Sequence, residues 1–158
     1  MKAVAIREAV LGVIVLLTLL VPFDVRADKS IHNSAVGPTV GTLLEGHLKS
    51  LPYMCECEFY RGPINGETMV FATRNERAVG FAVVDGQLIT LKRDGKPADT
   101  QCRKNVRFHE RWVSSAATVL LGQRVTGSGA ESCWYKGKLS ITVDGRAVSI
   151  PISGACGC

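Results

Sequence analysis

The chain has 158 residues, a formal net charge of +5 at pH 7 and 21% charged residues. That length fits one domain with a modest hydrophobic core and excludes a second domain of ordinary size. The balance of charged and hydrophobic residues is that of an ordinary globular protein.

Residues 1–27 have the three-part layout of a cleavable secretory signal peptide. Lys2 and Arg7 precede an apolar run over 9–21, and a small-residue cleavage site ends at Ala27. The run is shorter than the roughly 20 residues that a membrane span needs. We therefore expect export to a periplasm or to the outside of the cell, without a permanent membrane anchor.

The next segment, 28–54, is weakly patterned, and we expect it to be flexible. Its one helix signal is the capping-box spacing of Thr42 and Glu45, followed by Leu48 and Leu51 at helical intervals. Because Pro52 would end such a helix, the sequence predicts at most a short one.

From 55 to 158 the sequence predicts an all-β domain. Two Asp-Gly pairs, at 85–86 and 144–145, lie between β-rich runs, where a type I′ turn needs positive φ. Glycines at 122, 127 and 129 indicate a bulge or an open loop near the sixth strand. Short turns without helix-length patterns favour a small antiparallel barrel or a two-sheet sandwich of about eight strands, and periodicity does not separate the two. The candidate strands are 55–60, 68–73, 79–84, 88–92, 106–112, 118–126, 133–143 and 147–152.

An even number of cysteines in an exported chain indicates a disulfide framework. Two Cys-x-Cys pairs flank the β domain, and the members of one pair would lie about 6.6 Å apart along a strand, too far to bridge each other. The simplest arrangement joins the first strand to the C-terminal tail by two bridges and joins Cys102 to Cys133. The cysteines are Cys55, Cys57, Cys102, Cys133, Cys156 and Cys158.

Two other chemistries use the same cysteines. Four thiolates, from Cys55, Cys57, Cys156 and Cys158, would complete a tetrahedral site for zinc or Cu(I). The C-terminal Cys-Gly-Cys would alternatively exchange disulfides with other proteins. If the cysteines form disulfides, they are not free to bind a metal ion, and we expect no cofactor.

No catalytic signature is present. The His109-Glu110 pair lacks the second histidine of the metalloprotease pattern, since Val113 stands in its place. Glu56 and Glu58 share a strand face at a separation that glycoside hydrolysis uses, but carboxylates alternating with buried residues are typical of any half-exposed strand. We therefore expect a non-enzymatic protein with a binding or structural role in the cell envelope.

Basic residues are concentrated between 92 and 111, a stretch that supplies the positive surplus of the exported chain. Such a stretch is expected either to be a solvated loop and strand face or to meet an anionic envelope component or another protein. Export and the absence of interleaved aromatic residues argue against nucleic acid.

Ser128-Gly129 and Trp134-Tyr135-Lys136-Gly137 resemble the Ser-Gly and Trp-x-Lys-Gly signatures of small periplasmic inhibitors of c-type lysozyme. The resemblance covers a dozen residues and lacks the long spacer of those inhibitors. It implies that Ser128 and Lys136 enter the cleft of the enzyme. The alternative is a Gly-rich turn leading into a strand, with Trp134 in the core and Lys136 facing water.

Overall fold

The computed structural model describes residues 36–48, 56–64, 68–74, 76–98 and 101–157. The described residues all belong to one compact unit, 34–158. The expected signal peptide over 1–27 lies outside the described residues, as do Cys55 and Cys158. No helix among the described residues is long and apolar enough to cross a membrane.

Eight antiparallel strands form one closed barrel, in which each strand pairs with its neighbours in sequence and β1 also pairs with β8. The all-β prediction is therefore confirmed, and of its two architectures the barrel is the one observed. The strands are β1 (Glu56–Tyr60), β2 (Met69–Arg74), β3 (Val79–Val84), β4 (Gln87–Asp94), β5 (Arg107–Val113), β6 (Thr118–Ser128), β7 (Ser132–Val143) and β8 (Arg146–Gly157).

The core fills the inside of the barrel, because alternate side chains of every strand point inward. Small residues let the strands approach where the barrel is tightest. A Cβ at Gly137 would collide with the carbonyl oxygen of Gly122 on β6, so only glycine fits there. The fully buried interior side chains include Phe59, Phe71, Leu91, Trp112, Leu121, Leu139 and Ile141.

Both Asp-Gly pairs form the tight hairpins that the sequence predicts. Asp85 and Gly86 have φ values of 49° and 78°, and Asp144 and Gly145 have 48° and 75°. Positive φ at both central residues is the type I′ geometry, whose twist matches that of the flanking strands. These turns fix the register of β3 with β4 and of β7 with β8.

The expected bulge lies in β6, where the register with β7 shifts between Val125 and Gly127. The bulged residue, Thr126, donates a hydrogen bond from its hydroxyl to the carbonyl oxygen of Trp134, at 3.1 Å. The strand continues past the bulge to Ser128, so the glycines do not open a loop.

The N-terminal segment, residues 36–48, lies on the outer surface of β2 and β3. Backbone bonds join Gly41 N to Val83 O at 2.9 Å and Leu43 N to Met69 O at 2.7 Å. A short 3-10 helix (Glu45–His47) follows, and its cap is Leu44, whose N–H donates to His47 Nδ1. The helix begins after Leu44 and not after Thr42, the expected cap, because backbone bonds from Gly41 and Leu43 hold the residues on both sides of Thr42 to β3 and β2.

Candidate functional site

The outer surface of β5, β6 and β7 carries a dense set of cations. Strand pairing places Arg107 opposite Arg124 and Arg124 opposite Lys136, so that three exposed cations form one row across three strands. Directly paired side chains lie about 5 Å apart, where like charges repel and lower stability. We call this surface the basic face, and it consists of Arg107, Arg111, Arg124, Lys136 and Lys138.

Few of the described residues neutralise this surface. Arg111 pairs with Asp94 at 2.8 Å, and Arg124 donates to the amide oxygen of Asn105 at 3.3 Å. Among the described residues, the other three cations of the basic face have no ion-pair partner. The one acidic residue in β5–β7 is Glu110, which is buried inside the barrel. The basic face therefore presents a positive potential to solvent.

Trp134 is an exposed aromatic side chain on the same surface, at 43% of its maximal exposure. It faces Gly127 across the strand pair, and a Cβ at Gly127 would lie 2.9 Å from Cε3 of the indole. A Cβ at Gly129 would lie 3.8 Å from Cζ2, on the other side of the six-membered ring. The six-membered ring therefore lies beside both Gly127 and Gly129, whose missing side chains leave space for it. Trp134 is not in the core, which corrects that alternative from the sequence.

The inward residue of this part of β7 is Tyr135, not Trp134. Because side chains alternate along a strand, burying Tyr135 puts Trp134 and Lys136 together on the outside. A groove of about 620 Å³ adjoins Lys136. Its walls come from the loop after β1 and from β8, and they include Pro63, Ile64, Pro151 and Ser153.

No family model, curated protein or solved structure matches this chain. Function is therefore inferred from the chemistry of its surfaces.

Ser128 and Lys136, named by the resemblance to lysozyme inhibitors, both lie at the barrel surface. Ser128 is exposed at the end of β6 and pairs with Cys133, three residues before Lys136. The structure thus brings the two signatures onto adjacent strands that are joined by a short turn.

The cysteines staple one end of the barrel, which we call the disulfide end. Cys57 on β1 is bonded to Cys156 on β8, and Cys102, in the loop after β4, is bonded to Cys133 on β7. A thiolate metal site needs Cys57 and Cys156 free, whereas here they are bonded to each other. Among the described residues, no three His, Cys, Asp or Glu side chains come together in a way that could hold a metal ion.

A buried ion cluster lies inside the barrel near the same end. Glu110 Oε1 accepts from Arg77 NH2 at 2.6 Å and lies 3.6 Å from Arg93 NH1. Gln123 Nε2 donates to the other carboxylate oxygen at 3.2 Å, and the Arg93 guanidinium stacks 4.6 Å from the centre of the Trp112 ring. Burial lowers the pKa of Arg93, and the Glu110 carboxylate opposes that shift. Sequence reasoning missed this cluster, although Glu110 shares the inward parity of Phe108 and Trp112.

A cavity of about 300 Å³ opens at the disulfide end and is lined by Arg77, Gln101, Ser132 and Tyr135, among others. Its volume is at the lower limit of small-molecule pockets. Its charged lining residues are Glu56, Glu131 and Arg77, of which Glu56 and Arg77 are each held in an ion pair with a neighbouring side chain.

The carboxylates of Glu56 and Glu58 do not form a free catalytic pair. Arg74 Nε lies 3.1 Å from Glu56 and Arg74 NH2 lies 3.3 Å from Glu58, whose other oxygen accepts from the Tyr60 hydroxyl at 2.6 Å. Burial raises the pKa of Glu56, against the attraction of Arg74. Burial and the bond to Glu58 also raise the pKa of Tyr60. Glu56 and Glu58 therefore belong to a structural ion cluster with Arg74 and Tyr60.

Proposed function

We propose that this protein is an exported, non-enzymatic binding domain that holds an anionic polymer of the cell envelope on its basic face. The observation that carries the proposal is the row of Arg107, Arg124 and Lys136 across three paired strands. Cations placed side by side lower stability, a cost that a bound polyanion would offset.

The two disulfides support the location, since such bonds persist in oxidising compartments outside the cytoplasm. The shape of the basic face supports the class of partner. A closed barrel holds the row rigid, and a rigid row fits the repeated charges of a polymer chain better than it fits a single small anion. Binding would depend strongly on salt, because each neutralised charge releases counterions.

The proposal is tested by titrating the mature protein with a linear polyphosphate and with a polyuronate at rising salt. The double variant Arg124→Ser/Lys136→Ser removes two cations of the row, and we expect it to weaken binding about tenfold or more and to flatten the salt dependence. The matched control is Lys92→Ser/Lys96→Ser, which removes the same charge from β4 and the following loop.

The control should change the affinity less than about threefold. Salt screens charges that lie away from the bound polymer, so Lys92 and Lys96 should contribute less to binding than Arg124 and Lys136. If the two double variants weaken binding equally, the affinity depends on the net charge of the protein and not on the row. Absence of binding to either polymer at about 0.15 M salt would contradict the proposal.

A second candidate is inhibition of a c-type lysozyme. It is favoured by the placement of Ser128 and Lys136 as exposed residues of one strand pair, β6 and β7. A lysozyme cleft holds a pair of catalytic carboxylates, to which a lysine side chain offers an ion-pair partner. A lytic assay with stoichiometric protein tests this candidate: inhibition lost in Lys136→Ser would support it, and undiminished lysis by the enzyme would remove it.

A further inference from the structure

We infer that the anionic polymer is a polysaccharide, and that Trp134 is the platform on which one of its sugar rings stacks beside the cationic row. This inference rests on the proposed function and names the class of polymer. It concerns a side chain to which the charge argument assigns no role.

The indole of Trp134 is held close to the backbone of the neighbouring glycines. The benzo ring lies over Gly127 and Gly129, which together form a floor without side chains. The two glycines bring the backbone close to the six-membered ring, and 43% of the side chain remains exposed. The Thr126 hydroxyl holds the Trp134 carbonyl at 3.1 Å, which fixes the backbone that carries the ring. An exposed indole that is held in this way is preorganised to stack.

The exposed part of Trp134 offers an aromatic surface to a ligand. An aromatic face carries negative potential and attracts the weakly positive C–H groups of an apolar ring surface. One face of a pyranose ring offers such C–H groups, whereas a polyphosphate backbone offers none. An aromatic platform therefore distinguishes a charged sugar chain from an equally charged chain without rings.

Trp134 lies close to two cations of the row. Lys136 follows Trp134 by two residues on the same side of β7, a distance of about 6.7 Å along the strand. Arg124 pairs with Lys136 across the strands, and the groove of about 620 Å³ begins at Lys136. A sugar on Trp134 would thus place the acid group of the neighbouring unit within reach of these cations.

The experiment compares a hexameric polyuronate with a linear hexaphosphate on the mature protein. Trp134→Ala should weaken the polyuronate about tenfold, the range that loss of an aromatic stacking partner produces, and should leave the hexaphosphate within about twofold. Trp134→Tyr keeps a ring and should restore most of the affinity for the polyuronate.

Fluorescence gives a second readout. The sequence has two tryptophans, and the other, Trp112, is completely buried. The polyuronate should therefore change the emission of the wild type and leave that of Trp134→Ala unchanged. Retained hexaphosphate binding shows in the same experiment that the variant is folded.

The outcomes separate this inference from the proposal beneath it. If both probes bind and Trp134→Ala weakens neither, or weakens both equally, the sugar platform is wrong and the polyanion surface stands. If neither probe binds the wild type, the proposed function fails and the inference fails with it.

Discussion

At the scale of single residues, Glu110 is the buried acid that balances two guanidinium groups. Its carboxylate side chain is 2% exposed, and that of Arg93 is 4% exposed. The Arg93 nitrogens have no hydrogen-bond acceptor among the described residues, so this group depends on the charge of Glu110 and on the Trp112 ring. Removing the acid would leave the buried Arg93 and the partly buried Arg77 without compensation.

We predict that Glu110→Gln lowers the free energy of unfolding by about 3–5 kcal/mol, the usual cost of breaking a buried ion pair from one side. The two side chains have similar volume, so a cavity would not explain the loss. Urea unfolding of both proteins gives the measurement. Stability equal to that of the wild type would show that Arg77 and Arg93 do not depend on Glu110.

The matched change is Arg93→Met, which keeps an unbranched apolar chain on Trp112 and removes the buried charge. Its effect on unfolding should stay within about 1 kcal/mol of the wild type or be stabilising. A loss as large as that of Glu110→Gln would mean that the stacked guanidinium contributes stability of its own.

At the scale of elements, the N-terminal segment is held to the barrel by the β3–β4 hairpin. Asp85 Oδ1 accepts from Thr39 N at 2.8 Å and from the Thr39 hydroxyl at 3.0 Å, and Arg146 lies 3.6 Å from the other oxygen. These contacts lower the pKa of Asp85, with the backbone bond from Thr39 as the largest cause. The ionised carboxylate thus anchors residues 36–48 from a turn position.

The sign of the pH dependence follows from that shift. Because the folded pKa of Asp85 is below its unfolded value of about 3.9, the ionised group stabilises the fold above that value. The contribution is lost as pH falls through the folded pKa. Asp85→Asn, which tolerates the same positive φ, should therefore melt below the wild type at pH 6 and converge with it towards pH 2. Calorimetry over this range measures the gap, and a gap independent of pH would contradict the prediction.

Strand positions were predictable because period-two alternation is a local signal, and each observed strand overlaps its predicted range. The observed length differs most from the predicted length in β8, which was expected over 147–152 and is observed as Arg146–Gly157. Its last residues are mostly small and carry no strong β preference. They are strands because β1 and β7 pair with them on both sides, and that information is not local.

At the scale of the whole molecule, the bond between Cys57 and Cys156 joins the first strand to the last. It spans 99 residues, whereas the bond between Cys102 and Cys133 spans 31. Cross-linking a longer loop removes more conformational entropy from the unfolded chain. The first bond should therefore contribute more to stability, although both lie at the disulfide end.

We predict that Cys57→Ser/Cys156→Ser lowers the free energy of unfolding by about 4.7 kcal/mol and Cys102→Ser/Cys133→Ser by about 3.7 kcal/mol. Chemical unfolding of the two double variants under non-reducing conditions measures both losses. A larger loss for the Cys102 pair would show that holding the loop after β4 over the barrel end outweighs loop length.

The sequence by itself determined the β class, the two Asp-Gly hairpins and the clustering of basic residues, because all of these depend on neighbours along the chain. It also indicated an irregularity near the sixth strand, as either a bulge or an open loop. It also named Ser128 and Lys136. Only the tertiary structure decided that the sheet closes, that Arg107, Arg124 and Lys136 form one row, and that Trp134 is outside. Those features depend on register, since a slip of one residue moves every side chain of a strand to its other face, and register between distant strands is set by barrel closure.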